Sequence, residues 1–194
     1  MRACIRKSVV CILVCAFCLA VGFSASLGQG RKPETFESVY RHIQQASGNA
    51  RIDRYFDALR RVPLRLKLDV RSEVTNKMLA EYDSDSSDPA GRAAALVCQA
   101  LIEQDQGSYL EALKMFEAAK PFTERCQKEY PRAHYELLLS WGHAHFHYGR
   151  LEESKALGEA ALAFTKSHPG PNQNELRPYQ ILGCLLYTSP SPRD

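Results

Sequence analysis

The sequence lacks an excess of either charge once its two ends are set apart. The chain of 194 residues carries 25 Lys and Arg against 22 Asp and Glu. Three basic residues lie within residues 1–26, and one residue of each sign lies within residues 184–194, which leaves 21 of each sign. Proteins that bind nucleic acid or anionic membranes carry a basic excess. We therefore expect neither kind of partner for the part of the chain that folds.

Common catalytic motifs are also missing. The sequence has no glycine-rich phosphate loop, no nucleophile elbow and no zincin motif. We expect these residues to have no enzymatic activity and to bind no cofactor, and this expectation does not extend to a catalytic part further along the natural protein.

No apolar run reaches the roughly 20 residues that a membrane-spanning helix needs. The longest run covers residues 9–23; Arg2, Arg6 and Lys7 precede it and small residues follow it. This layout is typical of a secretory signal peptide. We predict a signal peptide at residues 1–26 and export to the periplasmic or extracellular side of the cell envelope. Membrane contact is expected only through an uncleaved N-terminal run or a missing C-terminal segment.

Cysteine is scarce between the two ends. Four of the seven cysteines lie in the predicted signal peptide and one at position 184, which leaves Cys98 and Cys126. If their helices are antiparallel about Gly107, the two Cα atoms lie roughly 13 Å apart, against a limit near 7 Å for a disulfide. We expect two free, largely buried thiols.

Residues 184–194 resemble the conceptual translation of a sequencing-library adapter. They read Cys-Leu-Leu-Tyr-Thr-Ser-Pro-Ser-Pro-Arg-Asp. We treat them as an artefact and expect the natural protein to continue past Gly183 with other residues.

Residues 27–87 predict an N-terminal helical segment followed by a linker. Apolar residues recur at helical spacing near residues 36–43 and 52–59, and Pro63 ends the second stretch. The alternation over residues 64–70 resembles a strand without a partner, so we expect an extended entry and then a helix to about Tyr82. Basic residues 60–71 interleave with acidic ones, which predicts a solvated face.

An arrangement of glycine, small and apolar residues then returns after 42 residues. In chain order, Leu96, Ala100, Gly107, Tyr109, Ala112, Phe116 and Ala119 match Leu138, Gly142, Gly149, Leu151, Ser154, Gly158 and Ala161. Asp88 with Pro89 caps the first helix, and Ser108 with Glu111 forms a capping box for the second. The pattern predicts helices near residues 88–105, 109–127, 131–148 and 151–167.

The repeat resembles the tetratricopeptide repeat, whose second helix reads Gly-x-Tyr-x-x-Ala-x-x-x-Phe-x-x-Ala. Residues 107–119 follow this pattern without departure, whereas Ser154 and Gly158 depart from it in the second copy. The resemblance implies an all-α solenoid fragment of antiparallel helix-turn-helix repeats over residues 88–183, with two complete pairs and a truncated third. The second pair is expected to pack more loosely.

The resemblance also implies that the first helix of each pair lines an inner groove. Carried over by position, the partner-binding residues are Leu101, Gln104, Asp105, Leu139, His143, Phe146 and His147, with Ala94, Val97 and Glu136 on the same face. We expect a protein-protein interaction scaffold that binds a peptide or partner segment there. The alternative is the extracytoplasmic sensor region of a truncated membrane-bound diguanylate cyclase or histidine kinase.

Two histidines raise the question of a metal site. His143 and His147 lie four residues apart on one predicted helix face, whereas His145 points elsewhere. No third ligand stands at a matching spacing. We therefore predict surface histidines and no metal site.

Overall fold

The computed structural model describes residues 35–60, 66–83, 87–170 and 173–188, and these form eight helices without a strand. In chain order the helices are α1 (Phe36–Gln44), α2 (Gly48–Arg60), α3 (Leu68–Glu81), α4 (Pro89–Asp105), α5 (Tyr109–Cys126), α6 (Pro131–His147), α7 (Leu151–Ser167) and α8 (Leu176–Thr188). The all-α fold class is thus confirmed. The predicted signal peptide and Pro63 lie outside the described residues.

Local chemistry explains where α4 begins. The Asp88 carboxylate accepts hydrogen bonds from the N–H groups of Ala90 and Gly91, both at 3.0 Å. Pro89 fills the first helical position. A backbone N–H at this position has no partner within the helix, so its absence costs no hydrogen bond. The predicted cap is therefore confirmed.

The capping box predicted at the start of α5 is wrong. The Ser108 side chain makes no capping hydrogen bond, and the Glu111 carboxylate pairs with Lys114 at 2.8 Å. The reason lies in the preceding turn, because the Ser108 N–H already donates to the Glu103 carbonyl at 2.9 Å. The end of α4 therefore fixes the backbone of Ser108 before α5 begins.

The α4–α5 and α6–α7 turns are built alike. Gly107 and Gly149 have φ values of 81° and 85°, a left-handed conformation that favours glycine. Each glycine and the residue after it donate backbone hydrogen bonds to carbonyls in the last turn of the preceding helix, at 2.9–3.1 Å. This is the Schellman ending of a helix. Two short turns of one kind produce two helical hairpins.

Glycines inside the helices allow close packing. A Cβ atom at Gly142 of α6 would lie 3.3 Å from Leu157 of α7, and one at Gly158 would lie 3.0 Å from Leu182 of α8. Leucine side chains from the facing helices occupy the space beside both glycines, and the looser packing expected for the second pair as a whole stays a prediction.

The N-terminal helices cover part of the repeat region. α2 and α3 both pack against α4, and Phe56 and Val74 share one hydrophobic core with Ala94 and Val97. Ala94 and Val97 are fully buried, so their predicted position on an open inner face is wrong. Cys98 and Cys126 also lie in this core as unbridged thiols.

The C-terminal helix α8 packs against α6 and α7. Its Ile181 and Leu185 belong to a second hydrophobic core together with Tyr135 and Phe164. The helix continues across position 183 without a break. That residues 184–194 come from a sequencing adapter stays a prediction. Within the described residues, no helix has both the length and the apolar character needed to span a bilayer.

Candidate functional site

A groove of about 580 Å³ opens where α4, α6 and α8 meet beside the end of α2. Six of the seven residues predicted to contact a partner line it, namely Leu101, Gln104, Leu139, His143, Phe146 and His147. The repeat register brings them together, because matching positions on α4 and α6 turn toward the same side. α8 closes the opposite wall with Arg177, Gln180 and Ile181.

Asp105 is the predicted contact residue that the structure places elsewhere. It does not line the groove, and its carboxylate forms an ion pair with Arg71 of α3. Arg71 is itself buried, which also corrects the prediction of a solvated basic face at this position. The N-terminal helices, which the repeat pattern does not describe, draw Asp105 away from the groove.

The apolar part of the groove comes from three helices. Leu101 of α4, Leu139 and Phe146 of α6, and Ile181 of α8 all contribute to its wall. Leu139 and Ile181 are almost fully buried, whereas Leu101 and Phe146 keep partial exposure. The two partly exposed side chains can therefore gain contact area when an apolar group enters the groove.

The two groove histidines contact each other. The Nε2 atoms of His143 and His147 are 3.3 Å apart, and the His143 Nδ1 lies 2.6 Å from Nε2 of Gln104. The Tyr109 ring stacks on His147 with a centroid separation of 5.3 Å. Desolvation lowers the pKa of His143, and the neighbouring His147 lowers it further. Asp105 acts weakly in the opposite direction.

A buried ionic network lies beside the groove, and its centre is Glu136. This side chain is only 2% exposed, so its predicted place on the open face is wrong. Arg177 donates to both carboxylate oxygens at 3.0 and 3.1 Å, and Arg60 approaches to 2.7 Å. Burial raises the pKa of Glu136, whereas the charges of Arg60 and Arg132 lower it.

Arg132 extends this network to α2. Its guanidinium group donates to Asp53 at 2.7 Å and to Asp57 at 2.8 Å, and it lies over the Phe56 ring at 5.3 Å. Burial lowers the pKa of Arg132, but the hydrogen bonds to Asp57 and Asp53 and the charge of Asp53 together raise it overall. The guanidinium group therefore stays charged.

We call the six side chains the arginine–carboxylate cluster: Arg60, Arg132, Arg177, Asp53, Asp57 and Glu136. Three positive charges face three negative ones. The two arginines that line the groove, Arg60 and Arg177, are consequently already paired with Glu136. This cluster was not predicted from the sequence, although the i, i+4 spacings of Asp53 with Asp57 and of Arg132 with Glu136 are a signal for it.

Among the described residues, no group of three or more histidine, cysteine, aspartate or glutamate side chains is arranged to hold a metal ion. The described part of the groove thus offers apolar contact, two imidazole rings and an amide.

Comparison with known proteins does not identify a family. The chain matches no protein-family model, no curated protein and no solved structure. The resemblance to tetratricopeptide repeats therefore stays a prediction that rests on the residues themselves.

Proposed function

We propose that the chain is an exported, tetratricopeptide-like scaffold that holds a peptide or a segment of a partner protein in its groove. The observation that carries the proposal is the groove itself, whose wall contains six of the residues that the repeat register assigns to partner contact. Its volume of about 580 Å³ lies in the range of about 300–1,000 Å³ that is usual for ligand sites.

The two helical hairpins support the repeat assignment. Their turns use glycines of nearly the same φ at positions 42 residues apart, and the same pair of backbone hydrogen bonds ends α4 and α6. Repeats that stack in this way leave one face of their first helices available to a ligand. In this chain α2 and α3 cover the early part of that face, and only the later part remains open.

The chemistry of the groove favours a partner segment with apolar side chains. Leu101 and Phe146 are partly exposed on its wall, and full burial of a leucine or phenylalanine contributes about 1.5–3 kcal/mol. The groove arginines are already paired with Glu136. An apolar side chain that enters the groove therefore gains more binding free energy than a carboxylate does.

Peptide selection followed by affinity measurement tests the binding role. A random peptide library is panned on the chain, and the enriched peptides are titrated by fluorescence anisotropy. We expect Leu101→Ala and Phe146→Ala to weaken binding about 5- to 100-fold, because each removes an apolar anchor. Leu110→Ala is the matched control, since Leu110 is 46% exposed on α5 and does not line the groove.

Two outcomes count against the binding role. One is that no peptide sequence is enriched above the background found with an unrelated helical protein. The other is that Leu101→Ala and Phe146→Ala bind the enriched peptides as tightly as Leu110→Ala does, while circular dichroism shows all three to be folded. In either case the groove is not the binding site for peptides.

Export is a separate part of the proposal and rests on residues 1–26, which lie outside the described residues. Fusion of residues 1–34 to an alkaline phosphatase without its own signal gives an activity readout, because the phosphatase forms its disulfides only in an oxidising compartment. We expect an active fusion, and an inactive one when residues 9–23 are deleted. Equal activity of the two fusions would contradict export.

A further inference from the structure

The distance between the two groove histidines matches the geometry of a bound metal ion. Two nitrogen ligands at about 2.0–2.1 Å from one tetrahedral ion lie about 3.4 Å apart, and the Nε2 atoms of His143 and His147 lie 3.3 Å apart. We propose that these two histidines bind a divalent transition-metal ion of the Zn²⁺, Ni²⁺ or Cu²⁺ class on the wall of the groove.

The neighbouring side chains hold both rings in this arrangement. Tyr109 stacks on the His147 ring at an interplanar angle of 11°, and the Gln104 amide contacts Nδ1 of His143. The two imidazole planes meet edge to face at 76°, with ring centroids 4.4 Å apart. Because the rings are already oriented, little side-chain freedom is lost when an ion binds.

Gln104 also supplies the outer contact that metal-binding histidines usually have. Such a histidine donates its second ring N–H to a carbonyl or carboxylate oxygen, which leaves the other nitrogen free to bind the ion. The Oε1 of Gln104 is buried and has no hydrogen-bond partner among the described residues. A half-turn of the amide exchanges Oε1 with Nε2, and Oε1 then accepts the Nδ1–H of His143.

In that arrangement Nε2 of His143 carries a lone pair, and Nε2 of His147 lies 3.3 Å from it. Without an ion the two nitrogens share a hydrogen bond in which one ring donates. A bound ion takes the place of that proton when both rings offer a lone pair. Imidazole suits Zn²⁺, Cu²⁺ and Ni²⁺, whereas Mg²⁺ and Ca²⁺ prefer oxygen ligands. Water molecules complete the coordination in the open groove.

This site revises the sequence-based prediction of ordinary surface histidines. The i, i+4 spacing shows only that the two rings share a helix face. The 3.3 Å distance between the ring nitrogens and the contact with Gln104 of α4 depend on side-chain conformation and packing, which the spacing does not describe. The inference does not depend on peptide binding in the same groove.

Zinc titration of the full chain, prepared without a histidine tag, tests the proposal. We expect isothermal titration calorimetry to show a Zn²⁺ site whose affinity falls at least tenfold in His143→Ala and in His147→Ala. His42→Ala is the matched control, because His42 is an exposed helical histidine on α1, and it should bind like the wild type. Titration with Mg²⁺ should give no binding at this site.

Two further variants separate this site from other ligands in the chain. Cys184 lines the groove, and Cys184→Ser should keep the site, whereas Gln104→Leu should weaken it about 10- to 100-fold. The other cysteines are present in every variant, so any Zn²⁺ that they bind is the same throughout. His143 and His147 are exposed, so their alanine variants should keep the wild-type circular dichroism spectrum.

Long-range ¹H–¹⁵N spectra of the histidine rings give an independent readout. We expect Zn²⁺ to shift the Nε2 resonances of His143 and His147 and to leave those of His42 in place. The proposal is overturned if the double variant His143→Ala/His147→Ala binds Zn²⁺ as tightly as the wild type. Zn²⁺-dependent shifts at Nδ1, or no shift of either ring, would overturn it equally.

Discussion

Replacing Glu136 by Gln removes the central negative charge of the arginine–carboxylate cluster and preserves the size of the side chain. The carboxylate is 2% exposed and accepts hydrogen bonds from Arg177 on both oxygens. Neutralising one partner of a fully buried ion pair costs about 3–5 kcal/mol. The side chains of Arg60 and Arg177 are 20% and 30% exposed. Water can therefore solvate the unpaired guanidinium groups, which offsets part of this cost.

We therefore expect Glu136→Gln to lower the free energy of unfolding by about 2–3 kcal/mol. For a domain of this size that corresponds to a fall in Tm of about 4–12 °C. Urea denaturation followed by circular dichroism at 222 nm measures the difference directly. Glu117→Gln is the matched control, because Glu117 is an exposed residue of α5, and it should change stability by less than about 0.5 kcal/mol.

A double-mutant cycle with Arg177→Met shows whether the loss comes from the ionic contact. If the pair interacts as the distances indicate, the double variant should be more stable than the sum of the two single losses predicts, by about 0.5–3 kcal/mol. The reasoning is refuted if Glu136→Gln has the urea midpoint of the wild type, or if the two losses simply add.

Three further perturbations have expected outcomes. Gly107→Ala places a methyl group on a residue at φ 81° and should lose about 1–2 kcal/mol of stability in urea; a loss no larger than that of Gly183→Ala would contradict this. Gly91→Ala puts a Cβ atom 2.0 Å from the ring of Tyr82, so we expect a loss of about 1–3 kcal/mol and a changed near-ultraviolet circular dichroism signal; an unchanged spectrum would show that the ring does not move. Burial lowers the pKa of His134 in the folded chain. As the pH falls, this histidine is therefore protonated in the unfolded chain before it is protonated in the folded chain. Stability should then be complete above the ordinary pKa of about 6.5 and fall below it by at most about 1.4 kcal/mol per pH unit; urea titrations between about pH 8 and 5 should show a shallower slope in His134→Gln, and an equal slope would argue against this histidine.

The helices of the repeat region could be predicted almost to the residue, because their ends depend on local chemistry. The helices predicted near residues 109–127 and 131–148 are observed at Tyr109–Cys126 and Pro131–His147. Glycine turns and first-turn prolines act within a few residues and leave a clear pattern in the sequence. The failed capping box at Ser108 shows the limit of such signals, since one backbone N–H cannot serve two motifs.

The errors at the site have a different cause, namely contacts between residues that are distant in the chain. The resemblance to the tetratricopeptide repeat placed six residues on the groove wall, because it assigns the inner face to the first helix of each pair. Asp105 and Glu136 were misplaced because their partners, Arg71 and Arg60, come from N-terminal helices that the repeat pattern does not include. The contact between Arg132 and Asp53 joins residues 79 positions apart. Local spacing shows that such charges share a face, but not which helix covers it.

The same long-range pairing limits what the groove can select. A carboxylate on an entering peptide meets Arg177, which already holds both oxygens of Glu136. Both hydrogen bonds come from Nη1 of Arg177, and Glu136 already neutralises the guanidinium charge. A new ion pair at the partly exposed end of Arg177 is therefore worth only about 0–1 kcal/mol. Peptides selected on the wild-type chain should therefore carry apolar side chains at this position, and an acidic consensus there would show that Arg177 is available to ligands. In Glu136→Gln the arginine loses its charged partner, and selection on that variant should shift toward acidic peptides.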